Sequence, residues 1–154
     1  MNAKGPASVY YLFLSGLFLI FDQSLKYFAL QNFDSAHTYL GFFGWKPFLN
    51  PGVAFSLPVP QPIILLFTIP VLIFLACLIL RAWNSKTAPP THVLGLSLVF
   101  FGALSNLIDR LIFKHTVDYL LLYTGVFNVA DLMIIAGFLL YLWISTKKRD
   151  AQNI

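Results

Sequence analysis

The sequence predicts an all-α integral membrane protein with four transmembrane helices. Of its 154 residues, 58% are hydrophobic and only 10% are charged, whereas about a quarter of the residues of a soluble domain are charged. All six acidic residues are aspartates; glutamate, which soluble helices use freely on their wet faces, is absent. Four stretches are apolar enough to cross a bilayer, which takes about 20 residues per helix. These observations exclude an ordinary water-soluble protein.

The four predicted spans cover approximately residues 9–30, 62–80, 93–113 and 127–145. Asp22 interrupts the apolar run of the first span, whereas the second span contains no charged residue. Pro70 predicts a kink in the second span, which membrane helices tolerate. An extramembrane loop of approximately residues 31–61 separates these two spans. Because the length suits one domain and leaves no room for a second, we predict a single integral-membrane domain over residues 1–154.

The basic residues predict the orientation of the spans. With four spans, both termini lie on the same side as the loop between the second and third spans. Six of the ten lysines and arginines fall on that side: Lys4, Arg81, Lys86, Lys147, Lys148 and Arg149. The positive-inside rule therefore places both termini in the cytoplasm. Because the basic residues are scattered or adjoin apolar spans, the net charge of +4 indicates a membrane protein, and we predict no nucleic-acid partner.

The acidic residues concentrate at the opposite end of the predicted bundle. Five of the six carboxylates lie there: Asp22, Asp34, Asp109, Asp118 and Asp131. An ionisable group within an apolar span is costly and usually serves a function. The outer ends of the spans are therefore the candidate functional site.

Amide and acid side chains share one face of the third span. Four residues are spaced seven, four and three positions apart, namely Gly95, Gly102, Asn106 and Asp109. This spacing aligns them on one side of a helix. One interpretation is a seam of small residues that packs against another helix. The other is a polar site, which would explain the Asn and the Asp, because a packing seam needs neither. Asn128 and Asp131 make a second such pair at the start of the fourth span.

Asp118 is open to two interpretations. It lies nine residues after Asp109, so it joins the other acids only if the third helix ends near Lys114–Thr116 and the chain turns back. Otherwise it is a solvated acid in a loop. Asp22 and Lys26 have the i, i+4 spacing of a favourable helical ion pair. We interpret this pair as structural support at a helix end, where the lysine extends toward the interface.

The segment Leu40–Leu57 is rich in Phe, Trp, Gly and Pro. Glycine and proline divide it into short strands or turns, and its aromatic residues suit a membrane–water interface. The segment either covers a site and holds an apolar substrate, or only anchors the protein at the interface. The three histidines have no metal-ligand spacing and the single cysteine forms no internal disulfide. We therefore predict no metal and no cofactor.

Two carboxyl groups in a poorly solvated site favour hydrolysis of the aspartic-protease type. One of them retains a proton and polarises a carbonyl group, while the other activates water. The alternative is a small proton- or cation-coupled membrane transporter that uses the intramembrane aspartates. Transporters usually carry internal repeats and place polar groups near the middle of the bilayer, and this sequence shows neither feature. A non-catalytic scaffold would not need several inward-facing acids.

Five short motifs follow one another along the four spans. They are Asp22-Gln23 with Lys26 (D-Q-x-x-K), Asn50 to Phe55 (N-x-G-x-A-F), Gly102 to Arg110 (G-x-x-x-N-x-x-D-R), Val117-Asp118-Tyr119 (V-D-F) and Phe127 to Asp131 (F-N-x-A-D). Any one of them is weak, but five in order at the expected places are very specific. Along essentially its whole length the chain resembles the bacterial lipoprotein signal peptidases, also called signal peptidase II.

The resemblance implies a membrane aspartic endopeptidase of the bacterial inner membrane that needs no cofactor. Its substrate would be a diacylglyceryl-modified prolipoprotein, cleaved on the N-terminal side of the lipidated cysteine near the extracytoplasmic face. The implied catalytic pair is Asp118 and Asp131. The implied supporting and substrate-binding residues are Asn50, Gly52, Asn106, Asp109, Arg110, Asn128, Asp22 and Lys26. The outer loop would join a small extracytoplasmic β-platform, and we expect a monomer surrounded by membrane lipid.

The sequence departs from the family pattern in places that bear on the site. Phe101 and Ser105 stand where the family often has glycine, which would alter the packing of the third helix. The segment 118–131 is shorter than the family pattern and lacks a Trp-Pro-like element before F-N-x-A-D. Because this segment flanks the implied catalytic pair, the resemblance says less about substrate gating in this chain than about the pair itself.

Overall fold

The computed structural model describes residues 6–53, 57–85 and 87–150, the last three without their side chains. Its elements follow in the order α1 (Pro6–Gln31), β1 (His37–Tyr39), β2 (Phe43–Asn50), α2 (Gln61–Asn84), α3 (Pro90–Phe113), β3 (Thr116–Leu122), β4 (Gly125–Phe127) and α4 (Val129–Asp150). All four helices are long and apolar enough to cross a membrane, which confirms the predicted four spans. Outside the described residues lie Lys4, Ala54, Phe55 and Lys86, with the side chains of Lys148, Arg149 and Asp150.

A four-stranded antiparallel sheet lies at one end of the helix bundle. Its strands are ordered β1-β2-β3-β4. β1 and β2 connect α1 to α2, and β3 and β4 connect α3 to α4, so the sheet joins both outer connections. The small β-platform implied by the resemblance is present. However, the connection between the third and fourth spans, for which the sequence predicted no strands, supplies two of its four strands.

The first and fourth helices differ from the predicted spans in two places, each for a physical reason. α1 runs through Asp22 without a break, because Lys26 one turn later lies 2.9 Å from the carboxylate and compensates its charge. α4 begins at Val129 rather than at residue 127. Phe127 pairs with β3 as part of β4, and Asn128 then supplies the side-chain cap that starts the helix.

α3 is the central helix and contacts each of the other three. Its glycines allow α4 to approach closely. A Cβ atom on Gly95 would lie 3.0 Å from the carbonyl oxygen of Gly137, and one on Gly102 would lie 2.6 Å from that of Ala130. The small-residue seam therefore exists, and it occupies the same helix face as the polar site. α2, which also packs on α3, continues as a helix through Pro70.

The turn after α3 directs the chain back toward the bundle. α3 ends at Phe113, and Lys114 takes a left-handed conformation with φ of 67°. Its N–H donates to the carbonyl oxygen of Arg110 at 3.1 Å, as in a helix C-cap. β3 starts two residues later at Thr116. The helix therefore ends where the first interpretation of Asp118 needed it to end, and Asp118 lies in a strand rather than in a solvated loop.

Candidate active site

Asp118 and Asp131 line the same cavity, which has a volume of about 390 Å³. The cavity lies between α2, α3, α4 and the sheet. Its polar lining consists of the two acids with Asn50, Thr68, Asn106, Arg110 and Thr116, and its other walls are apolar. The fold thus brings together, in one apolar chamber, two carboxyl groups from different elements.

Two amide side chains hold Asp118 in place. In the sheet Asp118 lies opposite Phe48, and Asn50 is its diagonal neighbour on the same face. Asn50 Nδ2 donates to Asp118 Oδ2 at 2.9 Å, and Asn128 Nδ2 donates to Oδ1 at 2.7 Å. Burial, reinforced by the charge of Asp131 and opposed by these hydrogen bonds, raises the pKa of Asp118 to about 7. This carboxyl group therefore exchanges its proton near neutral pH.

Asp131 and Asn128 form a capping box at the N-terminus of α4. Asn128 Oδ1 accepts the backbone N–H of Asp131 at 2.8 Å, and Asp131 Oδ2 accepts that of Asn128 at 3.2 Å. These are the reciprocal bonds of an N-cap residue and the third residue of a helix. Because the box uses only the oxygen of the Asn128 amide, its Nδ2 group reaches Asp118. One residue thus starts the helix and orients both acids.

Asn106 of α3 connects the two acids to a buried lysine. Its Nδ2 donates to Asp131 Oδ1 at 2.9 Å. Its Oδ1 accepts from Asn128 Nδ2 at 3.1 Å and from Lys26 Nζ at 2.9 Å. With both ends of the amide occupied, Asn106 has one orientation, in which its oxygen faces the cation.

Lys26 is buried between two carboxylates. Its Nζ lies 2.9 Å from Asp22 Oδ2 and 2.8 Å from Asp109 Oδ2, and the side chains are at most 2% exposed. Nζ also donates to Asn106 Oδ1 at 2.9 Å and to Ser105 Oγ at 3.3 Å, so the three ammonium donors are shared among four acceptors. The expectation that this lysine extends toward the interface is therefore wrong, because Asp109 on the central helix holds it inside. Loss of one partner from such a buried cluster typically costs about 3–5 kcal/mol.

The two acids that hold Lys26 also bind neighbouring elements. Asp109 Oδ2 accepts the N–H of Val117 in β3 at 3.0 Å, and its Oδ1 accepts from Gln23 Nε2 at 3.0 Å. Asp22 Oδ2 accepts from Ser105 Oγ at 2.6 Å. Neither of these two described acids lines the cavity. Their contacts join α1, α3 and β3 behind the two acids that do.

Arg110 and Asn50 shape the turn after β2. Asn50 Oδ1 accepts the N–H of Gly52 at 3.0 Å, and Arg110 Nη2 donates to the carbonyl oxygen of Gly52. Gln61 Nε2 in turn donates to the carbonyl oxygen of Arg110 at 2.7 Å. Within the described part of the chain, Arg110 Nη1 and Thr116 Oγ1 are buried without a hydrogen-bond partner. Both residues line the cavity.

Hydrogen bonds and ion pairs join all ten predicted site residues into one network, Asp22, Lys26, Asn50, Gly52, Asn106, Asp109, Arg110, Asp118, Asn128 and Asp131. Four neighbours had no predicted role: Gln23, Ser105, Thr116 and Tyr119. The first motif contains Gln23 and could have indicated its role. Thr116 precedes Asp118 by two residues, a spacing that places both side chains on one face of a strand, so this spacing could have indicated Thr116. Ser105 and Tyr119 add hydroxyl groups that the corresponding motifs lack.

The chemistry of the site is that of carboxyl groups. The described residues contain no group of three or more His, Cys, Asp or Glu side chains arranged to hold a metal ion. Two carboxyl groups that line one cavity, as Asp118 and Asp131 do, can in principle exchange protons with a molecule bound there. The surrounding amide side chains hold both carboxyl groups by hydrogen bonds and are themselves uncharged.

A family model described as Signal peptidase (SPase) II matches residues 14–147. The chain belongs to the signal peptidase II family. The lipoprotein signal peptidase of Syntrophus aciditrophicus (strain SB) is 32% identical over 142 residues, covering 85% of this chain and 88% of the relative. That of Moorella thermoacetica (strain ATCC 39073 / JCM 9320) is 36% identical over 140 residues, covering 86% and 90%.

Membership of the signal peptidase II family makes the chain a peptidase that spans the membrane several times. Two solved bacterial membrane enzymes share its fold, with TM-scores of 0.76 and 0.70. Both are 24% identical to this chain; the first match covers 95% of this chain and 91% of the other, and the second 92% and 93%. The family assignment favours hydrolysis over the transport that the acids alone left open.

Proposed function

We propose that this chain is an aspartic endopeptidase that removes the signal peptide from diacylglyceryl-modified prolipoproteins, cutting on the N-terminal side of the lipidated cysteine. The observation that carries the proposal is that Asp118 and Asp131 line one cavity and share Asn128 as their orienting residue. Family membership supports peptidase activity. The substrate class is supported by relatives named lipoprotein signal peptidases.

In this mechanism the carboxyl pair supplies both proton transfers. Asp118, whose pKa is raised to about 7, is protonated in part of the molecules at neutral pH, and in this form it donates its proton to the carbonyl oxygen of the scissile peptide. Asp131 takes a proton from the water as the water oxygen bonds to the carbonyl carbon. When the C–N bond breaks, Asp131 gives that proton to the leaving amine, and Asp118 recovers its own proton from a hydroxyl group of the tetrahedral intermediate, which leaves a carboxylic acid. Asn50, Asn106 and Asn128 hold the two carboxyl groups in position through both steps. The pair therefore needs one proton between its two members.

The cavity lining suits a peptide with apolar side chains or an attached acyl chain. Ile64, Leu107 and Ile134 form part of its wall. Arg110 Nη1 and Thr116 Oγ1, which have no partner among the described residues, would bind carbonyl groups of the substrate backbone. A buried donor that gains its partner only when substrate enters favours the bound state, because leaving it unpaired is costly.

We further propose that the sheet faces the extracytoplasmic side and that both termini are cytoplasmic. Six of the ten lysines and arginines of the sequence fall in the terminal segments and the connection between α2 and α3, away from the strand-bearing connections, and the positive-inside rule assigns such segments to the cytoplasm. The protein would act as a monomer and a single domain, with its active site at the outer face of the bacterial inner membrane. An exported precursor presents its signal peptide at that face.

The test uses the purified full chain in lipid or detergent. It is incubated with a diacylglyceryl-modified prolipoprotein and, in parallel, with the same precursor without lipid. We expect cleavage of the lipidated precursor alone, with a product mass that places the cut just before the modified cysteine. Cleavage of neither precursor would overturn the proposal, and a cut elsewhere would overturn the assigned position.

Two variants test the aspartic mechanism within the same assay. Asp118→Asn and Asp131→Asn should each lower the cleavage rate by at least about 100-fold, because an amide supplies neither a general acid nor a general base. Asp34→Asn is the matched control, since Asp34 is an exposed acid at the same end of the bundle, and it should keep the wild-type rate. If either Asp118→Asn or Asp131→Asn cleaves the precursor at the wild-type rate, an aspartic mechanism at these residues is excluded.

A further inference from the structure

Tyr119 follows Asp118 in β3, and its side chain is fully buried. Its ring packs in a cluster with Ala29 and Val117, and its centroid lies 5.0 Å from that of Trp45. Its hydroxyl donates to Asp22 Oδ1 at 2.8 Å and accepts the backbone N–H of Val129 at 3.1 Å. Packing of the ring and use of the hydroxyl as both donor and acceptor leave this oxygen with one position.

One partner of this hydroxyl, Val129, belongs to the first turn of α4, and the other, Asp22, belongs to α1. Val129 is the first residue of the helix, two positions before Asp131. The same Asp22 oxygen also accepts the N–H of Ala130 at 3.1 Å. The first N–H groups of a helix have no partner within the helix, so Tyr119 and Asp22 together anchor the start of α4.

We propose that Tyr119 is a positioning residue for cleavage by the Asp118–Asp131 pair, because its hydroxyl fixes the first turn of α4 against β3 and thereby sets the relative position of the two carboxyl groups. This role rests on the proposed function. Asp118 is the neighbour of Tyr119 in the strand, and Asp131 lies in the helical turn that the hydroxyl holds. A shift of about 1 Å between reacting groups lowers a rate by up to about 100-fold.

The surroundings of Tyr119 keep the hydroxyl in the form that this role needs. Burial and the adjacent charge of Asp22 raise the pKa of Tyr119, so the hydroxyl keeps its proton and continues to donate to the carboxylate. Lys26 faces the same carboxylate from α1 at 2.9 Å and compensates its charge. The hydrogen bond between Tyr119 and Val129 lies within the segment 118–131, which is shorter than the family pattern. In this segment only β4 separates β3 from α4.

Tyr119→Phe removes the hydroxyl and keeps the ring. The V-D-F motif that residues 117–119 resemble ends in phenylalanine, so a Phe ring is compatible with the fold. Ser97→Ala is the matched control: Ser97 is also fully buried, and its Oγ lies 2.8 Å from Ser15 Oγ in the α1–α3 contact. Each substitution removes one buried hydroxyl, but only the first removes a contact between β3 and α4.

The experiment measures kcat and KM on the lipidated precursor for the full-length wild type and both variants, referred to the folded fraction from melting curves. For Tyr119→Phe we expect kcat to fall at least about tenfold with KM nearly unchanged, since the contact positions reacting groups rather than substrate. Ser97→Ala should keep the wild-type kcat. A merely structural hydroxyl would lower the melting temperature in both variants and leave kcat unchanged.

The outcomes separate this inference from the proposed function. If the wild type cleaves the precursor and Tyr119→Phe has the wild-type kcat, the positioning role is overturned while the peptidase assignment stands. An equal loss of kcat in Ser97→Ala also overturns it, because the effect would then follow from any lost buried hydroxyl. A wild type that cleaves no lipidated precursor overturns the proposed function, and the role of Tyr119 with it.

Discussion

Asp118 experiences opposing influences on its charge. Burial and the neighbouring Asp131 favour its neutral form, whereas hydrogen bonds from Asn50 and Asn128 favour its ionised form. The balance raises its pKa to about 7. Between the unfolded value of about 4 and this folded value, the native state retains a proton that the unfolded chain releases. Ionisation of Asp118 at higher pH therefore lowers the free energy of unfolding. The same raised pKa allows this carboxyl group to exchange its proton near neutral pH.

The raised pKa of Asp118 contributes to the pH dependence of both stability and activity. Because the pKa is raised on folding, stability should fall as pH rises from about 4 through about 7, by at most about 1.4 kcal/mol per pH unit. Asp118→Asn cannot titrate and should lose less stability between pH 5 and pH 8, measured by denaturation in detergent. The kcat of the wild type should fall above about pH 7 as the pair loses its proton. Equal pH slopes of stability in both proteins would contradict this origin.

Residue spacing together with the five motifs predicted which side chains gather at the candidate site, but their partners required the structure. Asp22 and Lys26 form the ion pair that i, i+4 spacing indicates. The second carboxylate on Lys26 comes from Asp109, which is 83 positions further along the chain, and no local spacing reports such a contact. The same holds for Tyr119, whose hydroxyl partners lie on α1 and α4.

Among the elements, the helices were predictable and the second half of the sheet was not. A long apolar run reports a spanning helix because the bilayer fixes its length. β3, with sequence TVDYLLL, is buried on both faces, so it lacks the apolar–polar alternation that marks a half-buried strand. Its pairing with β2 also depends on a bulge between Trp45 and Phe48, and a one-residue change of register would turn Asp118 away from the cavity.

The close contact of α3 with α4 predicts a large effect of one methyl group. In Gly102→Ala the added Cβ would lie 2.6 Å from the carbonyl oxygen of Ala130 and 2.9 Å from Ile134 Cγ1. Because helix backbone cannot yield locally, the first turn of α4 must shift and move Asp131. We expect a loss of about 1–3 kcal/mol in the free energy of unfolding and a slower cleavage rate.

Gly16→Ala is the matched control for this substitution. The nearest atom to its added Cβ is Phe101 Cζ at 3.9 Å, an ordinary contact. Alanine favours a helix over glycine by about 1 kcal/mol, so this variant should be at least as stable as the wild type and equally active. Denaturation and cleavage measured on both variants decide the matter: equal behaviour would mean that the contact at Gly102 does not hold α4 in place.

At the scale of the whole molecule, the up-and-down order of four spans brings the site together. The end of α1, the start of α2, the end of α3 and the start of α4 all lie at the end of the bundle that carries the sheet. The fold therefore brings acids near these element ends to one end of the bundle, even though Asp22 and Asp131 are far apart in sequence, and side-chain burial then separates the site acids from the exposed Asp34. This is why the placement of charge predicted the location of the site, whereas side-chain pairing depended on the packing of α3.

The same charge asymmetry predicts which face of the membrane the site occupies. On a Cys77→Ala background, Lys46→Cys places a thiol on the exposed part of β2, and Thr87→Cys places one on the exposed connection between α2 and α3. Because Arg81 and Lys147 mark the cytoplasmic end, a membrane-impermeant maleimide added to spheroplasts should label Lys46→Cys and not Thr87→Cys. After permeabilisation both should react. Labelling of Thr87→Cys alone in intact spheroplasts would reverse the orientation and place the carboxyl pair at the cytoplasmic face, where an exported precursor does not present its signal peptide.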